Sequence, residues 1–140
     1  MTWIEDFLQQ VSDIKYDITF FTSEMNSEKI LSNHPARFLP PNYIWINEPV
    51  WMVLDVLTQQ QILLHEVGHS KDGKYFENNK VQREFCAQRW AMNKAKSMKL
   101  HELHNSIKKS FGMWEYLFEW KSEYRRYILA SKLAKRKGII

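Results

Sequence analysis

Gln59-Gln60-Gln61-Ile62-Leu63-Leu64-His65-Glu66-Val67-Gly68-His69-Ser70 is the stretch on which the rest of the chain turns. It contains no proline, and Ile62, Leu63, Leu64 and Val67 give a helix an apolar side to bury. In that helix His65 and His69 stand four residues apart on one face, so both imidazoles can point at a single ion. Glu66 is turned about 100° from His65 and can reach a water on that ion without being a ligand. The His-Glu-x-x-His spacing is therefore a metal-binding pattern with a proton acceptor built in.

Two imidazoles hold a hydrolytic metal poorly, because such sites use three protein ligands and leave one position for water. The best third ligand is Glu84, fifteen residues after His69 on the next helical stretch. Its surroundings, Glu84-Phe85-Cys86-Ala87-Gln88-Arg89-Trp90-Ala91, place small Ala87 and Ala91 beside the same face. That would let this helix approach the His65 helix closely. Gln88, one turn on from Glu84, can hydrogen-bond an imidazole from behind. Cys86 points away from Glu84 and reads as a packed thiol. The alternative third ligands are His101 and His104, spaced three apart further along. His34 precedes a proline and reads as a loop-packing residue.

Together, His65-Glu66-x-Gly68-His69 and Glu84-x-x-Ala87-Gln88-x-Trp90-Ala91 resemble the ImmA/IrrE-type metallopeptidases of phages and mobile elements, within the gluzincin group. The resemblance covers roughly residues 43–95. It implies a zinc site of His65, His69 and Glu84, with Glu66 as catalytic base. It also implies a small zincin-like α+β domain, with a short antiparallel-type sheet packed on several helices. In that fold Tyr43–Asn47 would be a strand beside the cleft, on which an extended peptide could pair. Relatives are associated with cutting or inactivating helix-turn-helix repressors or other regulators, so a protein or peptide substrate is the implied partner. Gln88 stands where an Asp or Asn is often found. Tyr75, His101, His104 and Tyr124 are the available oxyanion donors, with nothing in the spacing to select one.

The rest of the chain is read around this core. Its 140 residues suit one domain, with 44% hydrophobic and 14% aromatic residues supplying material for a core. No apolar run approaches the roughly 20 residues of a membrane span, and the first residues lack the features of a signal peptide. A single cysteine fits a reducing compartment, so the expected location is cytoplasmic. The net charge of +4 is uneven: residues 121–140 hold seven Lys/Arg and one acid. Lys121, Arg125, Arg126, Lys132, Lys135, Arg136 and Lys137 could contact phosphates, although a solvated helix face with a frayed basic end is the better account of them. Two further readings thus stand beside the peptidase: a nucleic-acid-binding module, and a metal-binding adaptor or sensor that holds a partner without cutting it.

In chain order, residues 3–11 form an amphipathic helix, and residues 14–20 alternate as a strand with Ile14, Tyr16, Ile18 and Phe20 on one face. Residues 23–32 are polar and ambiguous. Residues 33–42 hold three of the four prolines and read as a loop. Tyr43–Asn47 is a second strand, completing a region of helix plus strands over residues 1–47. Residues 50–57 are helical and apolar enough for burial, either continuous with the His65 helix or broken near Thr58. A helix from Glu77 or Asn79 to about Leu103 follows, so that residues 48–110 hold the metal-site helices. Gly112 then punctuates a basic C-terminal helix from Met113 to about Lys137, with Trp114, Leu117, Phe118, Tyr124, Ile128 and Leu129 as its core side.

Overall fold

The computed structural model describes residues 2–25, 31, 33–117 and 124–140. Phe118 and Lys121, read above as core and as part of the basic cluster, lie outside these residues, as does most of the polar stretch 23–32. The first element is α1, Thr2–Val11, which buries Ile4, Phe7, Leu8 and Val11 at helical spacing. Strands β1 (Asp17–Phe21), β2 (Ala36–Leu39) and β3 (Tyr43–Asn47) follow. The helices are α2 (Glu48–Trp51), α3 (Val56–Ser70), α4 (Lys80–Ser97), α5 (His101–Leu117) and α6 (Arg125–Arg136). The architecture is α+β, as strand patterns followed by a run of helix patterns predict: a three-stranded sheet packed against helices.

The sheet order is β1-β3-β2, with β1 parallel and β2 antiparallel to β3. Three expectations change here. The sheet is mixed and not of the antiparallel type expected, since β1 runs parallel to β3. Residues 33–42 are not all loop, because Ala36–Leu39 is a strand with Ala36 and Phe38 buried. Its prolines flank the strand and so cost it no ladder hydrogen bond; Pro35 even accepts one, from the Asn47 amide at 2.9 Å. Tyr43–Asn47 is a strand but sits at the centre, bonded on both sides, and has no free edge for a peptide. The edge beside the site belongs to β2.

The helix boundaries also shift. Residues 50–57 are not one helix: α2 ends at Trp51, and Asp55 restarts the chain by capping the Thr58 amide at 2.8 Å. Trp51 is buried, but Met52, Val53 and Val56 are exposed. Asn79 and Gln82 form a reciprocal capping box that begins α4. That helix stops at Ser97 and does not reach Leu103. Lys99 takes φ 59°, and the Leu100 and Lys99 amides fold back onto the Ala95 and Lys96 carbonyls. This is the left-handed helix end usually given to glycine, here made by lysine. Gly112 punctuates nothing, since it lies inside α5, and the C-terminal basic helix begins at Arg125. The same helix-ending motif recurs at Gly138, with φ 69°, where it is readable from sequence.

Two packed clusters support the site. One joins α1, the sheet, α3 and α4 through Ile4, Ile44, Ile46, Leu63, Leu64, Val67 and Ala91. The other joins α4, α5 and α6 through Phe85, Phe111, Trp114, Ala130 and Ala134. Gly68 marks how closely α3 and α4 meet: a Cβ placed on it would lie 2.4 Å from the Ala87 carbonyl oxygen. The small residues expected to matter on α4 thus include Ala87, and its counterpart is the glycine inside the histidine motif. Among the described residues, no helix is long and apolar enough to cross a membrane.

Candidate metal centre

His65 and His69 lie on the buried face of α3, and Glu84 faces them from the first half of α4. The Nε2 atoms of His65 and His69 come to 2.8 and 3.1 Å from the same Glu84 oxygen, Oε1. The three prospective ligand atoms lie within 4.8 Å of one another, and all three residues are buried. Among the described residues this is the group of His, Cys, Asp and Glu side chains with such convergence. His101 is exposed, and His104 directs Nδ1 at the Met92 carbonyl at 3.0 Å. Neither joins the site.

Hydrogen-bond accounting bears on whether a metal fits. The Gln88 amide nitrogen donates to the Ile107 carbonyl at 3.4 Å, which leaves Gln88 Oε1 facing His65 Nδ1 at 2.9 Å. A proton must then sit on Nδ1. In the neutral imidazole Nε2 carries a lone pair aimed at a carboxylate oxygen, an arrangement that needs a cation between the two. The choices are a second proton, giving imidazolium, or a metal ion. The two-nitrogen, one-carboxylate donor set suits zinc. His69 Nδ1 is buried without a hydrogen-bond partner, and its ring is stacked near-parallel to Phe38 at 6.4 Å.

Without a metal, charge takes the ion's place. Burial alone would lower the His65 pKa, but the Glu84 hydrogen bond, the Glu66 and Glu84 charges and Gln88 together raise it to about 9. Burial would raise Glu84, yet its bonds to the two histidines and their charges hold it well below the ordinary carboxylate range. Glu66 moves the other way. Burial raises its pKa and the Glu84 charge adds to this, against the opposing pull of both histidines and the Phe38 amide. That amide donates to Glu66 Oε1 at 2.8 Å.

Several residues complete the site without a recognisable spacing. Arg126, from the basic stretch, donates from Nε to Glu84 Oε2 at 3.1 Å and stacks 4.7 Å over Tyr127. Tyr127 approaches His65, with ring centroids 6.4 Å apart, and Trp114 meets His65 edge-on at 5.7 Å. Of the four oxyanion donors considered, Tyr75 packs edge-on against His69 at 5.9 Å, while Tyr124 lies against His34 at 5.0 Å. Two cavities meet at Glu66. One, of about 280 Å³, is lined by Ile62, His65, Trp114, Tyr124 and Tyr127 among others. The second, of about 260 Å³, is lined by Arg37, Lys80, Arg83, Tyr75 and Arg126, with His69 and Glu84 in its wall. Cys86 is half-buried on the far side of α4, where it borders neither cavity. No family model matches the chain, and neither a characterised protein nor a solved structure matches it.

Proposed function

We propose that this protein is a zinc-dependent metallopeptidase of the ImmA/IrrE type, with a zincin-like arrangement of sheet and helices. The observation that carries the reading is the convergence of His65, His69 and Glu84, with a fourth group, Glu66, buried in the same cleft. His65, His69 and Glu84 would hold the zinc. When bound, zinc supplies a Lewis acid for the scissile carbonyl and lowers the pKa of its water from 15.7 towards about 7.

The chain's own residues do the rest. Glu66 takes the proton of the attacking water and delivers it to the leaving amine, a role suited to a carboxylate whose pKa burial has raised. Gln88 fixes the His65 tautomer so that Nε2 presents its lone pair. Arg126 holds the outer oxygen of Glu84 and turns Oε1 towards the histidines. Tyr127 borders both cavities and Tyr75 the second, and burial keeps each phenol protonated, able to donate to a developing oxyanion. The reading includes a cytosolic location, on the single half-buried thiol, and a protein substrate of the regulator class cut by the family it resembles.

The test is the zinc content of the purified protein beside Glu84→Ala, with peptide turnover compared between wild type and Glu66→Gln. About one zinc per chain is expected, with marked loss in Glu84→Ala. Glu66→Gln should keep the metal and lose turnover. A wild-type protein that takes up no offered zinc overturns the reading. One that binds zinc and a partner but cleaves nothing, with Glu66 or without it, is an adaptor.

A further inference from the structure

The cleft has two chemically opposite halves, and Glu66 stands where they join. His34, Ala36, Glu66 and Tyr127 border both cavities. On one side the wall is apolar and aromatic, with Ile62, Trp114, Tyr124 and Tyr127 around a space fit for one large side chain. On the other, Arg37, Lys80 and Arg83 gather beside Arg126. Arg126 is committed to Glu84, but among the described residues no carboxylate lies within ion-pair distance of Arg37, Lys80 or Arg83. Arg83 gives its Nε to the Tyr75 carbonyl at 2.6 Å and lies 4.2 Å above the Tyr75 ring, so its charge is fixed in place and not neutralised. The acids in this wall, Glu66 and Glu84, are those a divalent cation would offset. A cluster of unpaired cations beside the reacting centre attracts an anion.

We propose that the substrate is a polypeptide segment carrying a large apolar side chain on one side of the scissile bond and a carboxylate on the other. This rests on the peptidase reading for the position of the bond, but the recognition itself needs no turnover. β2 supplies the track. It is the edge of the sheet, and Ala36, Arg37 and Phe38 line the route from one cavity into the other. A segment extended along β2 places successive side chains on opposite sides. The carboxylate can be an Asp or Glu side chain or a free C-terminus, since Arg and Lys recognise the shared group.

The test measures binding of fluorescent hexapeptides to Glu66→Gln, with zinc present and with zinc removed. Phe and Glu flank the central bond in both orders, with Glu replaced by Gln or Lys, Phe by Ala, and the C-terminus free or amidated. Replacing Glu by Gln should weaken binding about tenfold in one of the two orders, and Lys should weaken it further. The double change Arg37→Glu, Lys80→Glu, at two exposed positions, should remove or reverse that preference while Phe remains preferred over Ala. A preference for Glu over Gln assigns the carboxylate to a side chain, whereas equal binding of the two with loss on amidation assigns it to the C-terminus. Binding indifferent both to Glu, Gln or Lys and to amidation, or no binding of any peptide, overturns the proposal. Wild-type cleavage of the same peptides separates the two readings. Cleavage without preference removes this inference and leaves the peptidase, whereas selective binding without cleavage does the reverse.

Discussion

The floor of the site and its walls are held in different ways. The floor is α3 against α4, where backbone meets backbone: Gly68 has no room for a methyl group above the Ala87 carbonyl, and Ala91 and Val67 are fully buried. The walls are β2 and α6. Each meets the reactive side chains through a polar link, Phe38 N–H to Glu66 and Arg126 to Glu84. Close packing has no soft direction, so the floor fixes the spacing of the three ligand atoms. A hydrogen bond sets an orientation but does not fix spacing as backbone packing does. The floor should therefore control whether the site exists, and the walls how strongly it holds an ion and what it admits.

The largest effect that tests this contrast is Gly68→Ala. The new Cβ would meet the backbone of Ala87 and not a flexible side chain, with Ala87 Cα a further contact at 2.9 Å. The helices must part, at a cost of about 3 kcal/mol, the upper end for overpacking. Thermal unfolding should show a Tm lower by about 10 °C, with zinc lost on desalting. Gly73→Ala is the control, since nothing lies within 4 Å of a Cβ there, and it should stay within about 0.5 kcal/mol of wild type. Equal behaviour of the two variants would mean that the floor is not rigid.

The same division explains what could be read from the sequence. His65, Glu66, His69, Glu84 and Gln88 sit on two consecutive helices, and helical periodicity places His65 with His69, and Glu84 with Gln88, on one face of each without knowledge of the fold. Gly68 was visible inside the motif, although its contact with Ala87 needed coordinates. The walls come from remote segments that local pattern misdescribes. Ala36–Leu39 is short and bracketed by Pro35 and Pro40, so turn chemistry hides a strand. Arg126 is one cation in a basic stretch, and nothing in its neighbours says that it turns inward. Lys99 ends α4 in a conformation that sequence rules reserve for glycine. The break it makes is therefore invisible where the matching one at Gly138 is not.

The floor also carries a pH signature in the metal-free state. The folded pKa of His65 lies above its unfolded value, so its contribution is complete below about pH 6.5 and fades as pH rises through about 9. Glu66 acts in the same direction, since a buried carboxyl with a raised pKa costs stability once it ionises. Glu84 is depressed, and its contribution is lost only as pH falls below the ordinary carboxylate range. Chelator-treated protein should thus lose several degrees of Tm between about pH 6.5 and 9.5. Equimolar zinc should reduce that loss, because the ion replaces the proton on His65 and binds better as protons leave. A flat profile without metal would mean that the proton does not occupy the ion's place.

The two residues behind the ligands should differ in rank. Gln88 is buried and sets the tautomer of His65, so Gln88→Ala should weaken zinc binding by about 10- to 100-fold in chelator competition. Arg126 is the smaller case. Its side chain is 27% exposed, and its bond to Glu84 Oε2 leaves Oε1 on the histidines untouched. Arg126→Ala should weaken zinc by about tenfold or less, and added salt should narrow the gap to wild type because the lost interaction is partly screened. Arg126→Lys should recover only part of it, since a point charge on a flexible stem does not reproduce a guanidinium braced on Tyr127. An effect of Arg126→Ala as large as that of Gln88→Ala would reverse the ranking. The C-terminal helix would then belong to the floor, and the basic stretch would be a structural part of the metal centre.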